Sequence, residues 1–232
     1  MFRFKHFDVS HSQSSMKVGV DAVLLGAWTR NYGRDIIDIG TGCGVISLML
    51  AQRFPEAFID AIDIDLPSVE ESGVNFANSP WKDRLKVWLA EFPKDLKTLN
   101  KQYDLVVSNP PFFHSGIENP STSRERARHQ DKLSVFSLLE YAPEILKETG
   151  TLAMIFPLEF IEKVKESAIY KGLRPKRICR IKNREDKAAK RVMIEFQKSV
   201  NSELKEEDLT LFNGIYPTEA YKNLCGDFYL KF

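Results

Sequence analysis

Asn109-Pro110-Pro111-Phe112-Phe113 closes the apolar run Tyr103-Asp104-Leu105-Val106-Val107-Ser108. Two prolines at a strand end fix a rigid corner. At such a corner the Asn109 amide oxygen and the Pro110 carbonyl can accept the two hydrogens of one planar amino group, while the Phe112 ring stacks on the plane that carries it. An exocyclic adenine nitrogen is a poor nucleophile because its lone pair is delocalised. Two acceptors holding its hydrogens favour rehybridisation, so positioning and electrostatics would carry the reaction. An Asx turn before proline, with a hydrophobic loop cluster behind it, is the plainer account of the same residues.

A second constellation supplies a partner for that chemistry. Asp38-Ile39-Gly40-Thr41-Gly42-Cys43-Gly44 leads directly into the apolar run Val45-Ile46-Ser47-Leu48-Met49-Leu50. Alternating glycines let backbone approach a ligand closely at a helix N-terminus. A dinucleotide fingerprint would put its third glycine on Val45, so the pattern disfavours a nicotinamide dinucleotide. Nineteen residues past Gly44, Asp63 ends the next apolar run, placed to accept both hydroxyls of a ribose, with Asp65 the weaker candidate, read as a helix cap or a solvated side chain. A ribose and a zwitterionic end without pyrophosphate describe S-adenosylmethionine. In-line attack on its sulfonium methyl leaves a cationic, acidic nitrogen whose proton can pass to Asn109, Pro110 or water, so the chemistry requires neither a tuned base nor a metal. A tight strand-to-helix turn with Asp63 as a cap is the alternative.

These motifs sit in an alternating series of elements. Strands are expected at Ile36 to Ile39, Phe58 to Ile64, Leu85 to Leu89, Leu105 to Ser108, Thr151 to Phe156, Arg177 to Arg180 and Val192 to Gln197. Helices are expected at Val20 to Arg30, Val45 to Arg53, Ser68 to Asn78, Val135 to Lys147 and Leu158 to Lys171. The alternation predicts an α/β, doubly wound fold: a mostly parallel, seven-stranded sheet with helices on both faces. The expected organisation is one domain over 1–232, with a short N-terminal extension (1–30) and a basic, aromatic C-terminal part (171–232). Within the latter, Lys198 to Glu207 reads as a solvated connector.

The 232 residues carry 33 Lys plus Arg against 32 Asp plus Glu, with 43% hydrophobic and 28% charged residues, the profile of an ordinary globular protein. No apolar stretch reaches the roughly 18–20 residues of a membrane helix. The N-terminal Met1-Phe2-Arg3-Phe4-Lys5-His6-Phe7-Asp8 lacks the continuous apolar core of a secretory signal, which predicts a cytoplasmic protein. Cys43, Cys179 and Cys225 are odd in number and far apart, so reduced thiols and no metal site are expected.

The neutral sum hides a polar distribution. Between Lys171 and Arg191 ten basic residues, among them Lys176, Arg177, Arg180, Lys182 and Arg184, face only Glu185 and Asp186. Such a cluster can follow phosphates without reading sequence, although a solvated face looks the same. Arg124, Arg126, Arg128 and His129 lie in the polar stretch after Phe113, read as a functional loop or as disorder, where they would grip backbone beside a flipped base.

Together, Asp38 to Gly44, Asp63 and Asn109 to Phe112 resemble the class I S-adenosylmethionine-dependent methyltransferases that act on planar amino groups. The stretch from Phe7 through Met16-Lys17-Val18-Gly19-Val20-Asp21 to Trp28 is similar, more narrowly, to the bacterial tRNA1(Val) adenine-N6 methyltransferase family, as are Arg126-Ala127-Arg128-His129 and Asp227-Phe228-Tyr229-Leu230-Lys231. Val20 stands where that family usually has Thr. The resemblance implies a tRNA substrate modified 3′ of the anticodon, with no obligate protein partner. It implies cofactor contacts at Lys17, Gly19, Asp21, Asp38, Gly40, Thr41, Gly42, Gly44, Asp63, Ile64, Asn109 and Glu91, the last against the adenine amino group. Two other functions share these motifs: methylation of a protein glutamine, whose amide is the same planar group, and a catalytically silent RNA-binding module. The basic segment tilts the choice toward RNA.

Overall fold

The computed structural model describes residues 1–14, 16–30, 33–111, 133–198 and 203–232. A short hairpin, β1 (Phe2–Arg3) and β2 (Asp8–Val9), precedes helix α1 (Val20–Trp28). There follow β3 (Asp35–Ile39), α2 (Val45–Arg53), β4 (Phe58–Asp63), α3 (Leu66–Ala77), β5 (Leu85–Leu89), β6 (Tyr103–Ser108), α4 (Val135–Ile145), β7 (Leu146–Pro157), α5 (Ile161–Tyr170), β8 (Arg174–Arg184), β9 (Arg191–Gln197), β10 (Lys205–Asn213), β11 (Tyr216–Pro217) and α6 (Glu219–Cys225).

Successive residues of the central strands are apolar on both faces, so the sheet must be covered on both. Ile36, Leu105, Val107, Ala153 and Ile155 join Leu24 of α1 and Leu48 of α2 in one core. Their neighbours Ile37, Val106, Leu152, Met154 and Phe156 join Leu138 of α4 and Val164 of α5 in the other. The sheet order is β11-β10-β8-β9-β7-β6-β3-β4-β5. β3 pairs in parallel with both β4 and β6, and β9 alone runs antiparallel to its two long neighbours, β7 and β8. Chain order reverses between β3 and β6, and ligands of doubly wound sheets bind outside the carboxyl ends at such a switch point.

The fold class matches the sequence expectation, but the sheet has nine strands rather than seven. β10 is one of the two additions, and it begins at Lys205, inside the stretch expected to be a solvated connector. α4 stops at Ile145, short of Lys147, because Leu146 already pairs with Tyr103 of β6. The C-terminal aromatics fold back on the N-terminal hairpin: Tyr229 bridges to Phe4, and the Lys5 N–H donates to the Phe228 carbonyl at 2.8 Å. No helix among the described residues is long and apolar enough to cross a membrane.

Candidate active site

At the switch point a cleft of about 320 Å³ opens between the turn after β3 and the corner after β6. The turn adopts left-handed backbone at Gly40, Gly42 and Gly44, with φ of 72°, 55° and 81°. At Gly44 the need is double, because a Cβ there would lie 2.5 Å from the Phe76 ring. At Gly42 a Cβ would meet nothing within 4 Å, so the turn presents bare backbone to open space. The N-terminus of α2 carries no side-chain cap and faces the same cleft through Cys43, Val45 and Ile46.

Two carboxylates build this wall in different ways. Asp63, at the end of β4, lines the cleft; its Oδ2 accepts from the Gly42 N–H at 2.8 Å and its Oδ1 from the Asp65 N–H at 3.0 Å. Burial raises its pKa above the usual carboxylate value, against the lowering effect of those amides. Asp38 is fully buried behind the turn, where Oδ2 accepts from the hydroxyls of Thr41 and Ser47, both at 2.7 Å. Burial pushes its pKa up to about 6. Asp38 therefore shapes the turn from behind, while Thr41 itself lines the cleft. Asp65 caps α3 through the Ser68 N–H and hydroxyl, as its position suggested.

Across the cleft, the Ser108 hydroxyl donates to the Ile39 carbonyl at 2.7 Å and ties the end of β6 to the end of β3. Pro110 is buried behind this tie, and Asn109 and Pro111 line the cleft. The Asn109 Oδ1 is buried and has no hydrogen-bond partner among the described residues; Asp38 Oδ1 and Gln52 Oε1 share that condition, but of the three residues Asn109 is the one that lines the cleft. A buried unsatisfied acceptor costs about 1–3 kcal/mol, so its retention at a cleft wall points to a donor brought by a ligand. A smaller apolar recess of about 30 Å³ continues the cleft past Gly40, Asp63 and Ile64, lined by Ala90, Phe92 and Leu133.

The remaining expected contacts divide. Lys17 and Ile64 line the cleft. Gly19 is the N-cap of α1, and Asp21 is committed to an ion pair with Arg191 at 3.0 Å. The Glu91 carboxylate lies 3.8 Å from Lys94, and its neighbours Ala90 and Phe92 line the recess. Phe112, Arg124, Arg126, Arg128 and His129 lie outside the described residues.

The basic segment needs a correction. β10 runs beside β8 in parallel, and its acids reach diagonally to bases of β8: Arg177 pairs with Glu207, Arg180 with Glu206 and Lys182 with Asp208, each within 3 Å. Arg184 turns instead to Asp186 at 3.4 Å. Three of the eight excess positive charges of the linear segment are thus met by β10 once the strands align. Lys176 precedes this row on β8.

Sequence reading missed Glu71 and Asn75, buried on one face of α3. Glu71 accepts hydrogen bonds from Ser10, Ser12, Gln13 and Ser14, and Asn75 ties Ser10 to the Cys43 carbonyl. Neither belongs to a local motif. Among the described residues, no three His, Cys, Asp or Glu side chains come together as a metal site.

Comparison with known proteins gives this geometry a lineage. Residues 10–160 match the family described as methyltransferase small domain. The chain is 40% identical over 235 residues to a tRNA1(Val) (adenine(37)-N6)-methyltransferase of Trichodesmium erythraeum, covering 100% of this chain and 98% of that one. It is 39% identical to a protein of the same description from Flavobacterium johnsoniae, with 100% of each chain covered. Among solved structures, a predicted O-methyltransferase from Agrobacterium tumefaciens superposes with a TM-score of 0.67 at 18% identity, covering 90% of this chain and 96% of that one, and shares the fold. The glycine turn, the cleft and the full-length similarity agree: the chain belongs to the tRNA1(Val) (adenine(37)-N6)-methyltransferase family.

Proposed function

We propose that this protein transfers a methyl group from S-adenosylmethionine to the exocyclic N6 of an adenosine in tRNA, with valine tRNA 3′ of the anticodon as the target, and that the chain acts as one cytoplasmic methyltransferase domain over 1–232. The observation that carries the reading is the Asn109 Oδ1, buried on the cleft wall opposite the glycine turn without a partner among the described residues. The cleft suits the cofactor in its donor set. Each Asp63 oxygen holds one backbone amide and keeps a further lone pair, as a pair of ribose hydroxyls requires. The bare backbone at Gly42 and the uncapped start of α2 suit the amino-acid end. When bound, S-adenosylmethionine supplies an electrophilic methyl on a cationic sulfur.

In this reading Asn109 Oδ1 and the Pro110 carbonyl accept the two amino hydrogens, hold the nitrogen toward the cleft and bias it toward pyramidal geometry. Phe112 stacks on the base, and Arg124, Arg126, Arg128 and His129 grip the backbone around it. Lys182 and Arg184, at the carboxyl end of β8, share the rim that carries Asn109, since β8 runs in the direction of β6. The anticodon loop already presents unstacked bases, which lowers the cost of extrusion. The test is incubation with labelled S-adenosylmethionine and separate pools of unmodified tRNA, ribosomal RNA, DNA and cell protein, followed by mass spectrometry. N6-methyladenosine in valine tRNA is the expected product. Methylglutamine, or no transfer despite cofactor binding, would replace this reading with the protein substrate or the silent module.

A further inference from the structure

One wall of the cleft comes from a stretch with no secondary structure of its own. Met16 and Lys17 face the glycine turn, yet residues 10–14 and 16–18 lie outside any helix or strand. Backbone of that kind drifts unless its polar groups are bound. Here one side chain binds three successive amides. Glu71 Oε1 accepts from the Ser10 hydroxyl at 2.8 Å and the Ser12 N–H at 2.7 Å, and Oε2 accepts from the Ser14 N–H at 2.8 Å. The Gln13 N–H is shared between the two oxygens at 3.2 Å. His11 Nδ1 then accepts from the Val18 N–H at 3.1 Å and pins the far end of the stretch back on its start.

The same helix face also holds the glycine turn. One turn beyond Glu71, Asn75 Oδ1 accepts from the Ser10 N–H, and its Nδ2 donates to the Ser10 carbonyl at 2.8 Å and the Cys43 carbonyl at 2.9 Å. Gly44 packs directly on Ser72 and Phe76 between them. α3 is thus a template against which both the strap at 10–14 and the glycine turn are registered. An apolar anchor would hold a strap down but leave it free to slide. A buried carboxylate that must satisfy several donors fixes which amide sits where.

We infer that Glu71 and Asn75 are positioning residues for cofactor binding: from one face of α3 they set the spacing between the strap and the glycine turn, and with it the affinity for S-adenosylmethionine. The inference rests on the cofactor reading above. Neither side chain lines the cleft, so each acts through the backbone it holds.

The experiment pairs calorimetric binding of S-adenosylhomocysteine to the full chain with hydrogen exchange of the strap amides. Glu71→Gln keeps the size of the side chain but replaces one acceptor oxygen by a donor that faces the Ser14 or Ser12 N–H. The dissociation constant should rise about tenfold, the usual consequence of losing hydrogen bonds to a charged group. The amides of Ser12, Gln13 and Ser14 should exchange faster in the free variant and regain protection when ligand is added. Ser10→Ala with Ser12→Ala removes two hydroxyl donors, leaves α3 intact and should weaken binding about two- to fivefold; it carries the test if Glu71→Gln fails to fold. An affinity within twofold of wild type in a folded variant with faster strap exchange would overturn the inference, since Glu71 would then only stabilise the fold. Unchanged exchange would overturn it as well. Failure of the wild-type protein to bind S-adenosylhomocysteine would instead remove the cofactor reading, and this inference with it.

Discussion

The two walls of the cleft are built on opposite principles. On the β3 and β4 side the carboxylates that line the cleft are bonded in advance: Asp63 holds the amides of Gly42 and Asp65, Asp65 holds Ser68, and Glu71 holds the strap beside them; Asp38, behind the lining, holds Thr41 and Ser47 with one oxygen, and its other has no partner among the described residues. On the β6 side the hydroxyl of Ser108 is bonded, and the amide oxygen of Asn109, in the cleft wall itself, has no partner among the described residues. A wall with its bonds in place presents a finished shape and binds with little rearrangement. A wall with an acceptor left over is poised for a group that arrives with its own donor, and it gains most when that donor is being changed by the reaction.

The largest expected effect tests the second wall. Asn109→Ala should lower single-turnover methylation of tRNA about a hundred- to a thousandfold, the scale for removal of one positioned hydrogen-bonding group, while S-adenosylhomocysteine affinity by calorimetry stays within about threefold. Near-normal turnover would erase the contrast between the walls. Asp63→Ala should give the mirror image. Cofactor affinity should fall about ten- to a hundredfold, because both the ribose acceptor and the tie to Gly42 are lost, and methylation at saturating cofactor should recover most of its rate. Unchanged affinity would reject Asp63 as a ribose ligand.

A third prediction sharpens the first wall through pH. Burial works to raise the Glu71 pKa, but the Ser14 N–H, the Ser10 hydroxyl and the Gln13 and Ser12 N–H groups outweigh it and hold the carboxyl at about 2, below its ordinary 4.5. A group depressed in this way stabilises the fold above its unfolded value and loses that contribution as pH falls from 4.5 toward 2. Denaturant midpoints of the wild type should therefore drop through this window, and the slope should be shallower in Glu71→Gln. Parallel curves for the two proteins would show that the carboxylate is not held as the hydrogen bonds indicate. The smallest effect belongs to the β8–β10 row. Glu206→Gln with Asp208→Asn should change stability by no more than about 1 kcal/mol, as surface pairs do. Freed Arg180 and Lys182 should strengthen tRNA binding at low salt and steepen its salt dependence, read by filter binding across a salt series. A flat response would place those two bases away from the RNA.

What the sequence could disclose follows the same division. Gly40 to Gly44, Asp63 and Asn109 to Pro111 are legible because their roles depend on neighbours a few residues away: a turn, a strand end, a proline corner. Asp38 belongs to the same motif, yet its place behind the turn depends on the Ser47 hydroxyl one helical turn further on. Glu71 stands beside Glu70 in a polar helix, and only the packing of that helix on residues 10–14 decides that Glu71 is 6% exposed. The acids of β10 made the run from Lys198 to Glu207 look like a connector for the reason that they fit a strand here: Glu206, Glu207 and Asp208 each reach a base of β8. Charge that cancels across a sheet cannot be seen along the chain.

The strap also has a consequence for how the protein is made. Ser10 and its partner Asn75 are 65 residues apart. At roughly 5–20 residues per second of synthesis, the strap waits several seconds or longer before α3 exists to receive it. A hydrophobic segment would spend that interval seeking the wrong contacts. Ser10, Ser12, Gln13 and Ser14 can spend it hydrated until Glu71 and Asn75 have been made. The earliest-made wall of the cleft is thereby completed by residues made later.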